Sequence, residues 1–116
     1  MEQGYPFDSI RPWGNFRQFT KNTPVTVKII SVKPDEILSL QSHTKRSEFW
    51  RVISGSGFVE IDGVRKDVKT DDEIEVPLGA KHRMGSGSIG MQILEIAFGE
   101  FDEEDIIRYE DKYGRA

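Results

Sequence analysis

Cysteine is absent from this chain of 116 residues, and long hydrophobic runs are absent as well. Without cysteine there is neither a disulfide framework nor a thiolate metal site. No apolar run approaches the roughly 20 residues that cross a bilayer, and residues 1–6 lack the basic and apolar regions of a signal peptide. We therefore expect a cytoplasmic protein without a membrane partner. The length fits a single domain, residues 1–116.

Positive charge is also scarce. Sixteen Lys and Arg residues stand against twenty Asp and Glu residues, which gives a formal net charge of −4. Because nucleic-acid binding requires a basic surface that neutralises phosphates, we expect no nucleic-acid partner. An anionic small molecule would need a local basic patch instead. The hydrophobic fraction of 36%, with 10% aromatic residues, favours a folded core over disorder.

Turn-forming residues interrupt the chain at short intervals, and the segments between them are apolar or alternate between apolar and polar residues. Strands are predicted at residues 25–33, 37–43, 48–54, 58–62, 64–68, 73–76 and 89–98. Two glycine-containing turns, at 55–57 and 86–88, are expected to separate strands. Short strands without a long helix predict an all-β, antiparallel sandwich or barrel.

The two ends of the chain differ from the middle. Pro6, Pro12 and Gly14 are expected to break any regular element in an N-terminal arm, residues 1–16, and residues 25–98 form the barrel and 99–116 a charged tail. The arm carries four aromatic residues: Tyr5, Phe7, Trp13 and Phe16. A small barrel cannot easily cover this apolar area alone, so we expect a homodimer.

The two histidines of the chain lie near carboxylate and amide groups. Gln41 and His43 are two residues apart, so on a strand both side chains point to one face. Residues 44–47 can turn the chain back. If the flanking strands pair across that turn, Glu48 faces His43.

His82 completes a ligand set, because it follows a strand end and a turn at Pro77 and Gly79. Two His and one Glu commonly hold a catalytic divalent metal with open positions, and Gln41 adds a neutral oxygen. On spacing alone, the alternative is that either histidine is an ordinary surface or hydrogen-bonded residue.

Two further charged residues lie on apolar strands. Under strand alternation, Arg46 shares a face with Glu48 and points into the predicted metal cavity, although an exposed loop position is the alternative. Glu95 lies within the last apolar run, where a carboxylate requires a wet pocket or a cation. We take Glu95 as the first candidate for a general base.

The intervals between eight residues match a known pair of motifs. These residues are Asp35, Gln41, His43, Glu48, Gly55, Pro77, Gly79 and His82. Their spacing resembles the cupin motifs G-x5-H-x-H-x4-E-x6-G and P-x-G-x2-H, with Asp35 and Gln41 in place of the first Gly and the first His. The resemblance implies a single-domain double-stranded β-helix, which is a jelly-roll barrel. Cupins of this kind usually pair as dimers.

Longer runs narrow the resemblance. The chain reads R-P-W-G-x-F at residues 11–16, L-S-L-Q-x-H-x-x-R-x-E-x-W at 38–50, P-x-G-x-x-H-R at 77–83 and E-D-I-x-R-x-E-D-x-Y-G-R at 104–115. Together these runs resemble the type II phosphomannose isomerases, whose cupin is often fused behind a mannose-1-phosphate guanylyltransferase. The resemblance implies an aldose–ketose isomerase of sugar phosphates that converts mannose 6-phosphate to fructose 6-phosphate.

The resemblance also implies roles for individual residues. One divalent ion (zinc, manganese, nickel, cobalt or iron) would be held by Gln41, His43, Glu48 and His82. Arg46 would act in catalysis, by binding phosphate or by stabilising enediolate charge. The further residues expected to bind the substrate are Lys45, Arg83 and Arg108. Lys45 stands where many relatives carry a further His.

Two alternatives remain open from the sequence. The departures from the family pattern at Lys45 and Ala97 leave room for a non-catalytic cupin that binds a metal or a sugar as a sensor or accessory subunit. Another cupin chemistry, such as that of an iron oxygenase on a similar ligand set, is the third interpretation. Fold alone does not separate them, because one fold hosts many functions.

Overall fold

The structure is a computed structural model that describes residues 4–116, and all regular secondary structure in this part of the chain is β-strand. The strands are β1 (Phe7–Arg11), β2 (Gly14–Gln18), β3 (Val25–Val32), β4 (Leu40–Ser42), β5 (Arg46–Ile61), β6 (Val64–Lys69), β7 (Glu73–Val76), β8 (His82–Gly99) and β9 (Ile107–Glu110). The predicted all-β class is confirmed. No described segment forms a helix with the length and apolarity that crossing a membrane requires.

Two long antiparallel strands, β5 and β8, form the centre of the fold. At one end of this ribbon, β3 pairs with β8 and β7 pairs with β5. At the other end, β6 pairs with β5, while β4 pairs with β8 and also with β9. The ribbon therefore belongs to two sheet halves, and the tail adds the edge strand β9 to one of them.

The bend of this ribbon lies at glycines. Gly55 pairs with Met91 and Gly57 pairs with Ser86, so residues 87–90 of β8 lie opposite the single residue Ser56. A Cβ atom at Gly55 or at Gly57 would collide with a backbone oxygen of β8. These glycines therefore permit a close approach of the two strands at a bulge.

The turns predicted at 55–57 and 86–88 are therefore wrong, because β5 and β8 each continue through these positions. Glycine inside an apolar pattern signals either a turn or a bulge. The sequence alone does not separate the two, since the residue that requires the glycine lies on the partner strand.

The N-terminal arm is also more regular than expected. β1 and β2 form an antiparallel hairpin in which Phe7 pairs with Gln18, and Pro12 lies between the two strands and not within either. Arg17 of β2 donates to both oxygens of Glu73 on β7, with an Nε–Oε2 distance of 2.8 Å. The hairpin is thus held to the barrel, while its tip leaves Trp13 74% exposed.

The core lies between the two sheet halves. Its completely buried side chains include Trp50 and Val52 from β5 and Met84 and Ile93 from β8. Alternation along β5 points Arg46, Glu48, Trp50 and Val52 inward, and all four are buried. The polar members of this inner face, at the start of β5, mark the end of the core where the functional site lies.

Candidate metal and substrate site

Three strands bring the predicted metal ligands together. His43 directly follows β4, His82 begins β8, and Glu48 lies near the start of β5. Within the sheet, Gln41 pairs with His82 on the neighbouring strand. Glu48 comes from the opposite sheet half, where it pairs with Ala97. The two histidines and Glu48 therefore meet across the interior of the barrel.

The strands that flank residues 44–47 do not pair with each other, so the condition under which Glu48 was expected to face His43 is not met. β4 pairs with β8 and β9, whereas the first half of β5 pairs with β7 and with the second half of β8. The turn carries the chain from one sheet half to the other. His43 and Glu48 face each other across the interior and are not cross-strand neighbours.

The ligand atoms of His43, Glu48 and His82 all lie within 4.8 Å of one another, and all three residues are buried. Nε2 of His43 is 3.4 Å from Oε2 of Glu48, and Nε2 of His82 is 3.6 Å from Oε1 of the same carboxylate. Two imidazoles and one carboxylate form a donor set that suits zinc and other first-row divalent ions.

Hydrogen bonds fix which ring nitrogen faces the cluster. Nδ1 of His43 lies 2.7 Å from the carbonyl oxygen of Asp105, and Nδ1 of His82 lies 2.9 Å from that of Ala80. A carbonyl only accepts, so each Nδ1 carries the proton and each Nε2 presents a lone pair to Glu48. This is the tautomer that a metal ligand requires, with the second ring nitrogen held by a backbone carbonyl.

The environment of Nε2 of His82 indicates that the site suits a metal ion. This atom is buried and has no hydrogen-bond partner within residues 4–116. A buried acceptor without a partner costs free energy, and such atoms are rare in folded proteins. Burial also lowers the pKa of His82, which favours the neutral ring that binds metal. His82 therefore fits a cation as the missing partner.

Arg46 points into the cavity, as strand alternation predicts, and its guanidinium contacts two of the ligand residues. Nε donates to Oε2 of Glu48 at 3.2 Å, and a terminal nitrogen donates to Nε2 of His43 at 3.2 Å. The other terminal nitrogen donates to the carbonyl of Asp102 at 3.1 Å, and the group lies 4.3 Å from the Phe101 ring centroid. Because Nε2 has one lone pair, a metal ion and Arg46 compete for His43.

Glu95 lies beside Glu48 in the interior. The indole N–H of Trp50 points at Oε1 of Glu48, at 3.1 Å, and at Oε1 of Glu95, at 3.3 Å. Burial, together with the neighbouring Glu48 carboxylate, raises the pKa of Glu95 to about 7. Burial also acts to raise the pKa of Glu48, but interactions with the histidines and with Arg46 outweigh it and lower that pKa. Of the two carboxyls, Glu95 is therefore the one that takes up a proton more readily.

A cavity of about 250 Å³ opens onto this cluster. Its lining includes the predicted residues Gln41, His43, Arg46, Glu48, Glu95 and Arg108. The site predicted from the sequence did not include Glu103 and Arg115, which also line the cavity. Both come from the tail, whose approach to the cavity involves the β4–β9 pairing and leaves no local sequence signal.

The cations of the cavity differ in how they are paired. Lys28 lies 3.2 Å from Glu103, and Arg115 bonds to Asp111 at 2.7 Å. Arg108 forms no ion pair with any described residue, and its buried Nε has no hydrogen-bond partner there. Arg108 is therefore the cation that an anionic ligand can reach without breaking an ion pair.

Two residues expected to bind the substrate lie outside this cavity. Arg83 follows His82 on β8, so its side chain points to the opposite face, where it contacts Glu60 and Glu110. Lys45 is half exposed and lies 3.9 Å from Glu100. The structure therefore corrects the substrate-binding roles predicted for Arg83 and Lys45.

Comparison with known proteins agrees with this geometry. A family model described as "Mannose-6-phosphate isomerase C-terminal" matches residues 3–111. The mannose-1-phosphate guanylyltransferase ManC of Salmonella typhimurium is 39% identical over 107 residues, which are 90% of this chain. The chain spans only 22% of the length of that relative.

Solved structures share the fold at lower identity. A cupin protein from Bacteroides fragilis has a TM-score of 0.61 with 21% identity and covers 72% of this chain and 75% of its own. The capsular polysaccharide assembling protein CapF of Staphylococcus aureus has a TM-score of 0.68 with 19% identity and covers 90% of this chain and 32% of its own. These likenesses show the fold. With the family match over nearly the whole sequence, they establish that the chain is a cupin and belongs to the mannose-6-phosphate isomerase C-terminal family.

Proposed function

We propose that this chain is a metal-dependent aldose–ketose isomerase that interconverts mannose 6-phosphate and fructose 6-phosphate. One observation carries the proposal: Glu95, a buried carboxyl whose pKa is raised to about 7, lines the same cavity as His43 and Glu48 of the candidate metal cluster. A pKa near the working pH is what general base catalysis requires. The family match supports the substrate class.

The cluster would hold one divalent ion through His43, Glu48 and His82, with Gln41 of the cavity wall as a fourth ligand. When bound, zinc, manganese, nickel, cobalt or iron supplies a Lewis acid that polarises the sugar carbonyl and acidifies the adjacent carbon–hydrogen bond.

Proton transfer is the role of Glu95. Its carboxylate removes the proton from carbon 2 of the aldose and returns it to carbon 1, while the proton of the carbon-2 hydroxyl moves to the oxygen on carbon 1. The carbonyl is thereby shifted from carbon 1 to carbon 2, and no redox partner is needed. The location of Glu95 on the cavity wall, 6% exposed, supports this role because the base is shielded from water.

The substrate phosphate requires a cation that the protein has not neutralised. Arg108 meets this condition among the described residues of the cavity, and Lys28 lies on the same wall with a single carboxylate partner. Arg46 is close to the ligand atoms, so it is better placed to meet negative charge that develops on the reacting oxygens. The phosphate would thus bind at Arg108 and the reacting end near Arg46.

A non-catalytic role as a sensor or accessory subunit is the second candidate. It is favoured by the two hydrogen bonds of Arg46, which give His43 and Glu48 a protein cation as partner. A site that keeps this arrangement binds ligands without offering open metal positions. The short span relative to ManC is compatible with either role.

The deciding experiment loads the purified chain with each of the five metals and follows mannose 6-phosphate in heavy water by NMR. Exchange of the carbon-2 proton together with formation of fructose 6-phosphate is the expected result. Binding of the sugar phosphate without exchange, for all five metals, supports the sensor instead and removes the isomerase proposal. The matched control is Arg83→Ala, which removes a cation outside the cavity and should leave exchange unchanged.

A further inference from the structure

The turn that carries His43 is held by one residue of the tail. The carboxylate of Asp105 accepts from the backbone N–H of Thr44 at 2.9 Å, from its hydroxyl at 2.8 Å, and from the backbone N–H of Lys45 at 2.9 Å. Its carbonyl oxygen accepts from Nδ1 of His43 at 2.7 Å. Asp105 therefore contacts three consecutive residues, about 60 positions away in sequence.

Asp105 itself lies in a fixed position. Its backbone N–H donates to the carbonyl of Asp102 at 3.0 Å, and Asp102 also accepts, through its side chain, from the N–H of Glu104 at 2.9 Å. Two residues later β9 begins at Ile107, which pairs with Ser42 immediately before His43. The tail turn is thus anchored on both sides.

His43 needs such support because it lies beyond the end of β4. A side chain after the last residue of a strand has lost the regular ladder that fixes the backbone. Its ring can then rotate, and it can exchange the proton between Nδ1 and Nε2 unless a neighbour prevents both. The carbonyl of Asp105 holds the ring, and its carboxylate holds the backbone of the following residues.

We propose that Asp105 is a positioning residue of the metal site, which holds His43 in the orientation and tautomer that present Nε2 to Glu48. The inference rests on the metal-binding part of the proposed function. It adds a residue from the tail to a site whose ligands all come from the barrel. The tail thereby contributes to both the metal site and the cavity wall, since Arg108 lies three residues further on.

The test compares Asp105→Ala, Asp105→Asn and Glu104→Ala in the full chain. Asn keeps one side-chain oxygen that accepts from Thr44. Its amide N–H₂ would face the backbone N–H of Lys45, where two donors meet, so the effect of Asp105→Asn should be intermediate. Glu104→Ala is the matched control. It removes a neighbouring carboxylate that forms no hydrogen bond or ion pair with any described residue.

Two readouts separate the inference from the proposed function. Nitrogen-15 NMR of the metal-free protein reports the tautomer of His43, and cobalt titration with the visible spectrum reports affinity and coordination. Asp105→Ala keeps the backbone carbonyl but removes the carboxylate that ties the tail to Thr44 and Lys45, so the carbonyl is free to move away from His43. For this variant we expect a mixture of tautomers, a changed cobalt spectrum and roughly 10- to 100-fold weaker binding. Asp105→Asn should lose less, and Glu104→Ala should match the wild type.

An unchanged tautomer together with cobalt affinity within twofold of wild type would overturn the positioning role. Equal losses in Asp105→Ala and Glu104→Ala would overturn it as well, because the effect would then not depend on the hydrogen bonds. If wild-type protein binds no cobalt, the proposed function fails, while the tautomer comparison still decides the role of Asp105. If Asp105→Ala does not fold, Asp105→Asn carries the same comparison.

Discussion

Replacement of Glu95 by Gln removes the proposed base while it preserves the shape of the site. Glu95 accepts from the indole N–H of Trp50 at 3.3 Å, and a Gln amide oxygen accepts the same bond. The amide N–H₂ can donate to Glu48, as the shared proton of the acid form does. We therefore expect Glu95→Gln to fold and to keep its metal.

The size of the effect follows from the role of the carboxylate. General base catalysis accelerates a reaction by about 100- to 10,000-fold. Glu95→Gln should therefore lower kcat by this factor, which corresponds to a loss of about 3–5 kcal/mol of transition-state stabilisation. KM should change little, because the phosphate contacts lie elsewhere on the cavity wall. A reduction of less than fivefold, with metal content unchanged, would show that another group is the base.

The pH dependence gives an independent check with a definite sign. Only the ionised carboxylate accepts a proton, so activity must fall as the pH drops through the pKa of Glu95. In the metal-free site that pKa is about 7, which sets the upper limit for the acid limb. A bound dication lowers the pKa of a neighbouring carboxyl, so the acid limb of the loaded enzyme should lie at or below this value.

The assay is isomerisation of mannose 6-phosphate between pH 5 and pH 9, in wild type and Glu95→Gln, with metal content measured in the same samples. The matched control is Glu75→Gln on β7, an exposed carboxylate that should alter neither the rate nor the acid limb. An acid limb that persists unchanged in Glu95→Gln would refute the assignment, because the titrating group would then be a different one.

Four further outcomes are expected. His82→Ala should lose stoichiometric metal in elemental analysis after reconstitution, and full retention would contradict the ligand assignment. Arg46→Met should bind cobalt at least tenfold more tightly and isomerise more slowly, because it removes a cation that competes for the ligand lone pairs. We propose a homodimer that contacts through the hairpin tip, so changing the exposed Ile10 and Trp13 to Ser should halve the mass in light scattering. Glu73→Gln should lower the free energy of unfolding by about 1–2 kcal/mol at pH 7 and by less at pH 3, since arginine bonds lower the pKa of Glu73.

The pH dependence of the stability that Glu73 contributes follows from proton linkage. A carboxyl with a lowered folded-state pKa contributes stability above its unfolded value of 4.5, and this contribution is lost as the pH falls through the folded value. The difference in melting temperature between wild type and Glu73→Gln should therefore shrink on acidification. A difference that stays constant from pH 7 to pH 3 would mean that the charge of Glu73 does not stabilise the fold.

Features that depend on local periodicity could be predicted from the sequence. The all-β class follows from short apolar segments between turns, and the inward face of β5 follows from its alternation at Arg46, Glu48, Trp50 and Val52. The same alternation explains why the substrate-binding role predicted for Arg83 is wrong. It follows a buried histidine directly, and on a strand the next side chain points to the opposite face.

Features that depend on distant partners could not be predicted. The contacts of Asp105 with residues 43–45 cross about 60 positions of sequence, and its carbonyl bond to His43 is a backbone contact that any residue type could make. The resemblance implied that Arg108 binds the substrate, but its location in the cavity depends on the pairing of β4 with β9. No pattern within either segment specifies that pairing.

The wrong prediction of turns at residues 55–57 and 86–88 and the formation of the site both depend on the bend in the β5–β8 ribbon. His43 and His82 belong to one sheet half and Glu48 and Glu95 to the other, so the cluster exists only because the β5–β8 ribbon bends back on itself. That bend is at the bulge where Gly55 and its neighbours let the two strands approach. A turn at this position would end β5 and separate its halves into different strands. The continuous bent strand instead fixes the distance between the two halves, and with it the separation of the carboxylates from the histidines that would bind the metal.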